Sequence, residues 1–301
     1  MSFMDYLVSD GLKAADQAFI ARQVEFVLSC MGSDGGFSGR LGSSDLYYTD
    51  FALRVLSACR WTGGNAGIIG TFIESRKKNI SSIVDCFNWL NCARILEEWG
   101  AAPLVDADQI LYVIDSHRTT GGGFSKDQSN QLSVYAAFLA LLCLEMLGIV
   151  DERSAGLPDS ILGLAFPDGG FAETRIESGR QTNPTAAALS VLAISAGNPT
   201  YDLPKHLQYL AHSQRDDGGL SASEDIPFGD LLSTFSGVAV MAFLGNLEMI
   251  DLRKTARFLK TVEHPNGGFR ACAADPEADV EYTFYGLGVL GILRSYLLSK
   301  G

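Results

Sequence analysis

Two textures of apolar patterning alternate along this chain. Segments such as SVYAAFLALLCLEMLGIV (133–150) and ADVEYTFYGLGVL (278–290) are apolar almost all round. By contrast, DADQILYVIDSH (106–117), LPKHLQYLAHSQ (203–214) and DLRKTARFLKTV (251–262) carry apolar residues at i, i+3, i+4 and i+7 and keep one polar face. Both textures follow the 3.6-residue turn, so both predict helices. The contrast predicts their places: the first kind is enclosed and the second covers it.

Glycine punctuates the alternation. The turn DGGF (34–37) returns as GGGF (121–124), DGGF (168–171), DGGL (217–220) and NGGF (266–269). Each Gly pair supplies a tight turn with positive φ, and the aromatic residue or Leu that follows staples the turn to the core. Aligned on their apolar pattern, six enclosed helices begin at Asp45, Asp85, Asn130, Gln181, Asp230 and Asp279. The second copy has only RWTGGNAG (60–67) well upstream. A helix pair of roughly 45 residues repeated six times predicts a stack of pairs, either an open solenoid or a closed ring. Periodicity leaves that choice open.

Composition narrows the setting. At 301 residues and 47% hydrophobic content the chain buries a large core as one repetitive domain spanning 1–301. A net charge of -12 disfavours nucleic acid as a partner. The N-terminal MSFMDYLVSDGL lacks a basic stretch followed by an apolar one, which predicts no secretory signal and a cytoplasmic location. The run 133–150 contains Glu145 and lacks basic flanks, so it reads as a buried helix rather than a membrane span. Six cysteines without CxxC spacing read as reduced packing residues.

The repeats QRDDGGL, HPNGGF and FPDGGF, each followed by a helix with a Thr-aromatic-x-Gly/Ala-Leu pattern, resemble the prenyltransferase and squalene-cyclase repeats. That superfamily comprises protein prenyltransferase β subunits and class II terpene cyclases, and the resemblance covers about residues 20–298. It implies an all-α fold, an (α/α)₆ toroid of six inner and six outer helices. Zinc prenyltransferases carry Asp-x-Cys at the start of the fifth inner helix and a His near the start of the sixth. The matching positions here are Asp230, Leu232 and Tyr282, so Leu and Tyr replace Cys and His and zinc is not expected. His117, His206, His212 and His264 fall outside the inner-helix positions and read as surface or capping residues. Ahead of the fifth helix, where the family holds diphosphate with cations, the chain reads SASEDIPFGD (221–230); Arg175 and Arg180 on the preceding connection are the candidate compensation.

Class II cyclases protonate an alkene or epoxide with the middle Asp of Asp-x-Asp-Asp. The matching stretch is Asp279-Val280-Glu281-Tyr282, with Glu281 at the donor position. Protonating a double bond needs an un-ionised acid held away from water, and Glu281 near a helix start is tuned by Asp279 and Tyr282. In the alignment above, Glu281 stands where other copies have Tyr47, Phe87, Leu132, Asn183 and Leu232. Asp50 is a second unrepeated acid, opposite Leu90, Tyr135, Ala186, Phe235 and Phe284, with Arg54 at i+4 as an ordinary salt-bridge partner. The repeated acids Asp45, Asp85, Asp230 and Asp279 read as helix caps. Tyr47, Tyr48, Phe87, Trp89, Tyr135, Phe235 and Tyr285 are the candidate substrate walls, since cationic intermediates need aromatic faces.

The leading expectation is thus a metal-independent cyclase that protonates a polyprenyl substrate. The alternatives are a divergent prenyltransferase β-like subunit, which requires an α-subunit partner, and a non-catalytic toroid that binds an isoprenoid or a protein. The cavity's cap is expected from its own loops SEDIPFG and ACAADPEA, from a partner, or from the membrane that supplies the lipid, the last giving peripheral membrane contact, and the N-terminal segment is a candidate plug.

Overall fold

The structure, a computed structural model, describes residues 3–62, 64–101, 105–149, 154, 156–176, 179–195 and 202–300. Outer helices α2 (Gln17–Ser29), α4 (Ala66–Arg76), α6 (Ala107–Ser116), α8 (Leu157–Leu162), α10 (Leu203–His212) and α12 (Leu252–Val262) alternate with inner helices. The inner set is α3 (Leu46–Ala58), α5 (Ile83–Glu98), α7 (Val134–Met146), α9 (Thr182–Ser195), α11 (Leu231–Phe243) and α13 (Val280–Lys300), and α1 (Phe3–Leu12) precedes the repeats. Each inner helix packs on the next, and α13 packs back on α3. The stack therefore closes into an α/α toroid, the choice that periodicity left open. The run 133–150 supplies α7, and among the described residues no helix is long and apolar enough to cross a membrane.

The glycine turns explain how neighbours lock. Gly35, Gly122, Gly169, Gly218 and Gly267 all have positive φ, as expected. A Cβ on Gly35, Gly169 or Gly218 would strike the backbone of Ile68, Lys205 or Lys254, each on the outer helix of the next pair. A Cβ on Gly267 would strike Arg22 of α2, so the last turn docks on the first outer helix by the same contact that joins neighbours elsewhere. The staples Phe37, Phe124, Phe171, Leu220 and Phe269 are all fully or almost fully buried. Phe37, Phe171, Leu220 and Phe269 each donate a backbone N–H to a threonine of the following inner helix: Thr49, Thr185, Thr234 and Thr283.

These threonines fix the register of four repeats, and the caps correct the sequence alignment in the other two. Asp45, Asp230 and Asp279 accept from the backbone N–H three residues on, as caps do. The second inner helix, however, is capped by Ser82, with Asp85 closing a reciprocal capping box, and the third by Ser133. Asn130 instead holds the preceding turn, accepting from Thr120 N at 2.7 Å. The apolar pattern alone could slide by about one turn without penalty, and the caps decide.

In the corrected register, Trp89 lies seven residues after its cap, where other copies carry Ala52, Ala140, Ala188, Gly237 and Gly286. A Cβ on Gly237 or Gly286 would strike the staple Leu220 or Phe269. The second repeat has no staple, and the large indole takes the position that is small elsewhere. Trp89 is 1% exposed and is not on the inner stripe, so its expected place on a substrate wall is corrected.

Of two buried histidines, His117 caps the end of α6 as expected and His206 departs from expectation. His117 ends α6 and its ring pairs with Val113 O at 2.9 Å. His206, within α10, stacks on the staple Phe171 and accepts the Gly170 N–H through Nδ1 at 3.1 Å. Gln23 does the same for Gly268 at 2.7 Å in the sixth repeat. Burial, with Lys205 beside it, lowers the His206 pKa to about 4. The native state keeps this imidazole neutral while the unfolded chain takes up a proton below about pH 6.5. Its contribution is therefore present above that pH and lost as pH falls toward about 4, amounting to up to roughly 3 kcal/mol. His206→Gln, which copies the Gln23 arrangement, is expected to flatten this slope in thermal melts taken between pH 7 and pH 4.

Candidate active site

Counting from each cap, the second, fifth and ninth residues of the inner helices form a stripe at helical spacing. The second-position ring is Tyr47, Val84, Tyr135, Asn183, Leu232 and Glu281, and every member keeps partial exposure on an otherwise enclosed helix. Below it, the fifth position is partly exposed at Phe87, Phe138 and Phe235 but buried at Asp50, Ala186 and Phe284, and the ninth is partly exposed at Arg54, Leu142, Ser190 and Ala239 but buried at Asn91 and Gly288. Such a stripe faces an open lumen at the centre of the toroid. Tyr135 makes the point: it is 39% exposed, yet its surroundings push the phenol up to about 12. The corrected register moves Tyr135 into the ring of Glu281 and moves Phe87 down one turn.

Glu281 is the chemical centre of the ring. Its Oε1 accepts from Tyr47 Oη at 2.9 Å and from Tyr285 Oη at 3.1 Å. Among the described residues Oε2 has no hydrogen-bond partner. Burial raises the carboxyl above its ordinary range and nearby Asp279 adds to the rise, while the two phenols and Arg40 act in the opposite direction. Burial and the Glu281 charge in turn push the Tyr47 and Tyr285 phenols up, so both stay protonated as donors.

Asp279 has another task. Its Oδ1 caps α13 through Tyr282 N at 2.9 Å, and its Oδ2 accepts from Arg40 Nε at 2.8 Å. Arg40 also grips Asp275 with both terminal nitrogens and lies over the Tyr282 ring at 5.7 Å. This cluster ties the first repeat's connection to the last repeat, a ring-closing role that places Asp279 and Tyr282 beside the site. Tyr48 likewise points at Gly39 of the connection, where a Cβ would strike its ring.

Aromatic rings continue inward from Glu281. Tyr47 meets Phe51 edge-on at 5.0 Å, Phe51 meets Phe284 and Tyr285 at 5.5 Å, and Phe235 meets the same pair at 5.3 and 5.2 Å. Asp50 is fully buried at this depth, 3.7 Å from Arg54, the i+4 pair expected from sequence.

Sequence reasoning missed Glu173. It is 7% exposed, accepts from Ser133 Oγ at 2.6 Å and from Tyr135 N at 3.2 Å, and pairs with Lys126 at 2.9 Å. It thus clamps the start of α7 and fixes Tyr135. The signal was available: two residues past the staple, other copies carry Gly39, Lys126, Ala222 and Ala271.

A metal does not fit the positions where zinc prenyltransferases hold one. Asp230 spends its Oδ1 on the α11 cap, Leu232 has no donor atom, and Tyr282 lies under Arg40. Of the two candidate cations on the connection ahead of α9, Arg175 is exposed and Arg180 is already paired. Arg180 is held between Asp168 at 2.6 Å and Glu224 at 2.7 Å, beside a recess of about 590 Å³ that lies on the connections outside the lumen.

The sequence profile of the prenyltransferase alpha-alpha toroid domain matches residues 12–74, 71–227 and 223–299, nearly the whole chain. The chain belongs to this toroid family. Among solved structures, this toroid is similar to Candida albicans protein geranylgeranyltransferase-I complexed with GGPP, with TM-score 0.71 and 17% identity over 95% of this chain and 99% of that one. It is also similar to the type II terpene cyclase MstE from Scytonema in complex with geranylgeranyl dihydroxybenzoate, with TM-score 0.61 and 14% identity over 96% and 98%. An alpha-1,6-mannanase from Salegentibacter matches too, with TM-score 0.65 and 14% identity over 93% and 99%. The three therefore share a toroid with this chain, and one of them is a glycosidase by name, so the fold alone selects no reaction. Among curated proteins, no sequence matches the chain.

Proposed function

We propose that this toroid is an isoprenoid-processing enzyme, a metal-independent cyclase in which Glu281 protonates a polyprenyl chain held in the lumen. The observation that carries the reading is the Glu281 carboxyl, raised by burial, with two phenols on Oε1 and Oε2 turned to no protein partner, above a wall of aromatic rings. A carboxylic acid so placed gives up the Oε2 proton to an alkene carbon. The O–H bond breaks as the C–H bond forms, and the phenols stabilise the carboxylate left behind. The resulting tertiary cation is captured by the next double bond of the same chain, with the partly exposed Phe138 and Phe235 facing the travelling charge. Loss of a proton from the last cation to the Glu281 carboxylate, or to water with Glu281 taking a proton back from solvent, closes the cycle.

The prenyl-binding neighbours named above supply the substrate class by analogy of fold. A prenyltransferase reading is weaker, because the zinc positions do not fit and the fifth connection carries Glu224 and Asp225, with Glu224 paired to Arg180. The direct test is turnover in D₂O by the chelator-treated protein with polyprenyl substrates. Acid initiation yields a cyclic isomer carrying one deuterium from solvent, whereas a prenylated acceptor, or activity that returns only with zinc, overturns the reading.

The phenols also set a pH signature. The acid works only when protonated, so turnover falls as pH rises through the Glu281 pKa. Tyr47 stabilises the anion, and its loss raises that pKa. Tyr47→Phe is therefore expected to move the descending limb of the pH–rate profile to higher pH while lowering the maximal rate about tenfold.

A further inference from the structure

The rim of the toroid is built from the connections that lead into the inner helices, and one of the six is cut short. In five repeats the connection folds back on itself through an antiparallel bridge at the staple: Met31 with Phe37, Arg118 with Phe124, Ala165 with Phe171, Gln214 with Leu220 and Glu263 with Phe269. In the second repeat α4 ends at Arg76 and Ser82 already caps α5, so only residues 77–81 cross the rim. Neighbouring connections are also stitched together. Val134 N donates to Glu173 O at 3.1 Å, Thr182 N to Ala222 O at 2.9 Å and Leu231 N to Ala271 O at 2.8 Å, which joins the third, fourth and fifth inner helices each to the following connection. Arg40 joins the sixth connection to the first. At the second repeat the belt has nothing to join and stands open.

This opening is not a packing fault. The indole of Trp89, 1% exposed, fills the core where the staple is absent. Behind the opening, α5 carries Val84 and Phe87, both partly exposed and both on the stripe that faces the lumen. On the bordering first connection Leu41 is 92% exposed. An apolar lip that leads to an apolar stripe lets a hydrocarbon leave water in stages. The first cations of the short stretch are drawn outward: Arg76 lies over the Phe72 ring at 4.5 Å, and Lys77 reaches Asp106 at the start of α6 at 3.8 Å. Asn79, Ile80 and Ser81 leave the sill itself uncharged.

We infer that a prenyl chain enters the lumen from the side, through the opening over the start of α5, with Leu41, Val84 and Phe87 as its apolar path. The inference rests on the lumen taking a prenyl chain, and it is independent of the chemistry at Glu281.

The test is the kinetics of geranylgeraniol binding to the full chain, followed by stopped-flow tryptophan fluorescence, with the dissociation constant measured by calorimetry. Narrowing a passage raises one barrier that is crossed in both directions and leaves both end states alone. Ser81→Arg is therefore expected to lower the association and dissociation rates together by about tenfold with the dissociation constant unchanged, and Leu41→Arg to lower both several-fold. Asp225→Arg, the same kind of change on the fifth connection across the ring, is expected to leave both rates as in the parent. Equal slowing in Asp225→Arg, parental rates in Ser81→Arg and Leu41→Arg, or a changed dissociation constant carried by the dissociation rate alone overturns the side entry. Absence of saturable geranylgeraniol binding overturns it together with the lumen as a prenyl site. If Ser81→Arg loses its helical circular dichroism, Leu41→Arg decides. Failure of the cyclase reading shows differently, as products without solvent deuterium while Ser81→Arg still slows binding.

Discussion

Glu281→Gln is expected to lower turnover by about 10³-fold or more while leaving the melting temperature and the helical signal unchanged. An amide has nearly the same shape as the carboxyl, and its oxygen still accepts from Tyr47 and Tyr285, so the packing of the ring survives. What disappears is the carboxyl proton at the head of the aromatic wall. Asp50→Asn in the same assay separates the two unrepeated acids. Asp50 is fully buried beside Arg54, so its substitution is expected to lower stability more than it slows the chemical step. If Glu281→Gln turns over like the parent, Glu281 leaves the mechanism; if Asp50→Asn alone is inactive, the acid was misassigned.

Phe269→Ala should produce the largest loss of stability. Phe269 is 2% exposed, sits over the notch left by Gly286, and donates its backbone N–H to Thr283. Its turn is also the one that docks on α2 and closes the ring. Removing a buried phenyl leaves a cavity that rigid helices on both sides cannot fill, which costs about 3–5 kcal/mol. For a chain of this size that corresponds to a drop on the order of 5–10 °C in melting temperature. A melt within about 1 °C of the parent would mean that the last staple does not hold the ring.

Much of this architecture was legible in the order of residues. Helix type, inner or outer place, the glycine turns and the staples are all local or periodic signals, because each follows from 3.6-residue spacing or from a φ that only glycine adopts cheaply. Glu281 stood out for a related reason, since an acid breaks the pattern at a position where every other copy is uncharged or aromatic. Glu173 broke it in the same way two residues past its staple. The register of the second and third inner helices was less legible. An all-round apolar helix has no polar face to anchor an alignment, and only the Ser82 and Ser133 caps settle where it starts.

The sequence by itself determined the repeat, its helical texture and the odd acids, because those are properties of one strand of chain and its near neighbours. Only the tertiary structure decided that α13 returns to α3, that Arg40 of the first connection pairs with Asp279 of the last repeat, and that Tyr47, Tyr285 and Glu281 meet at one point. Tyr47 and Glu281 are separated by almost the whole chain, and no local preference encodes their meeting. It follows from closure: six helix pairs that each turn slightly relative to the last bring the first and sixth side by side, and the acid becomes a site only where the ring joins.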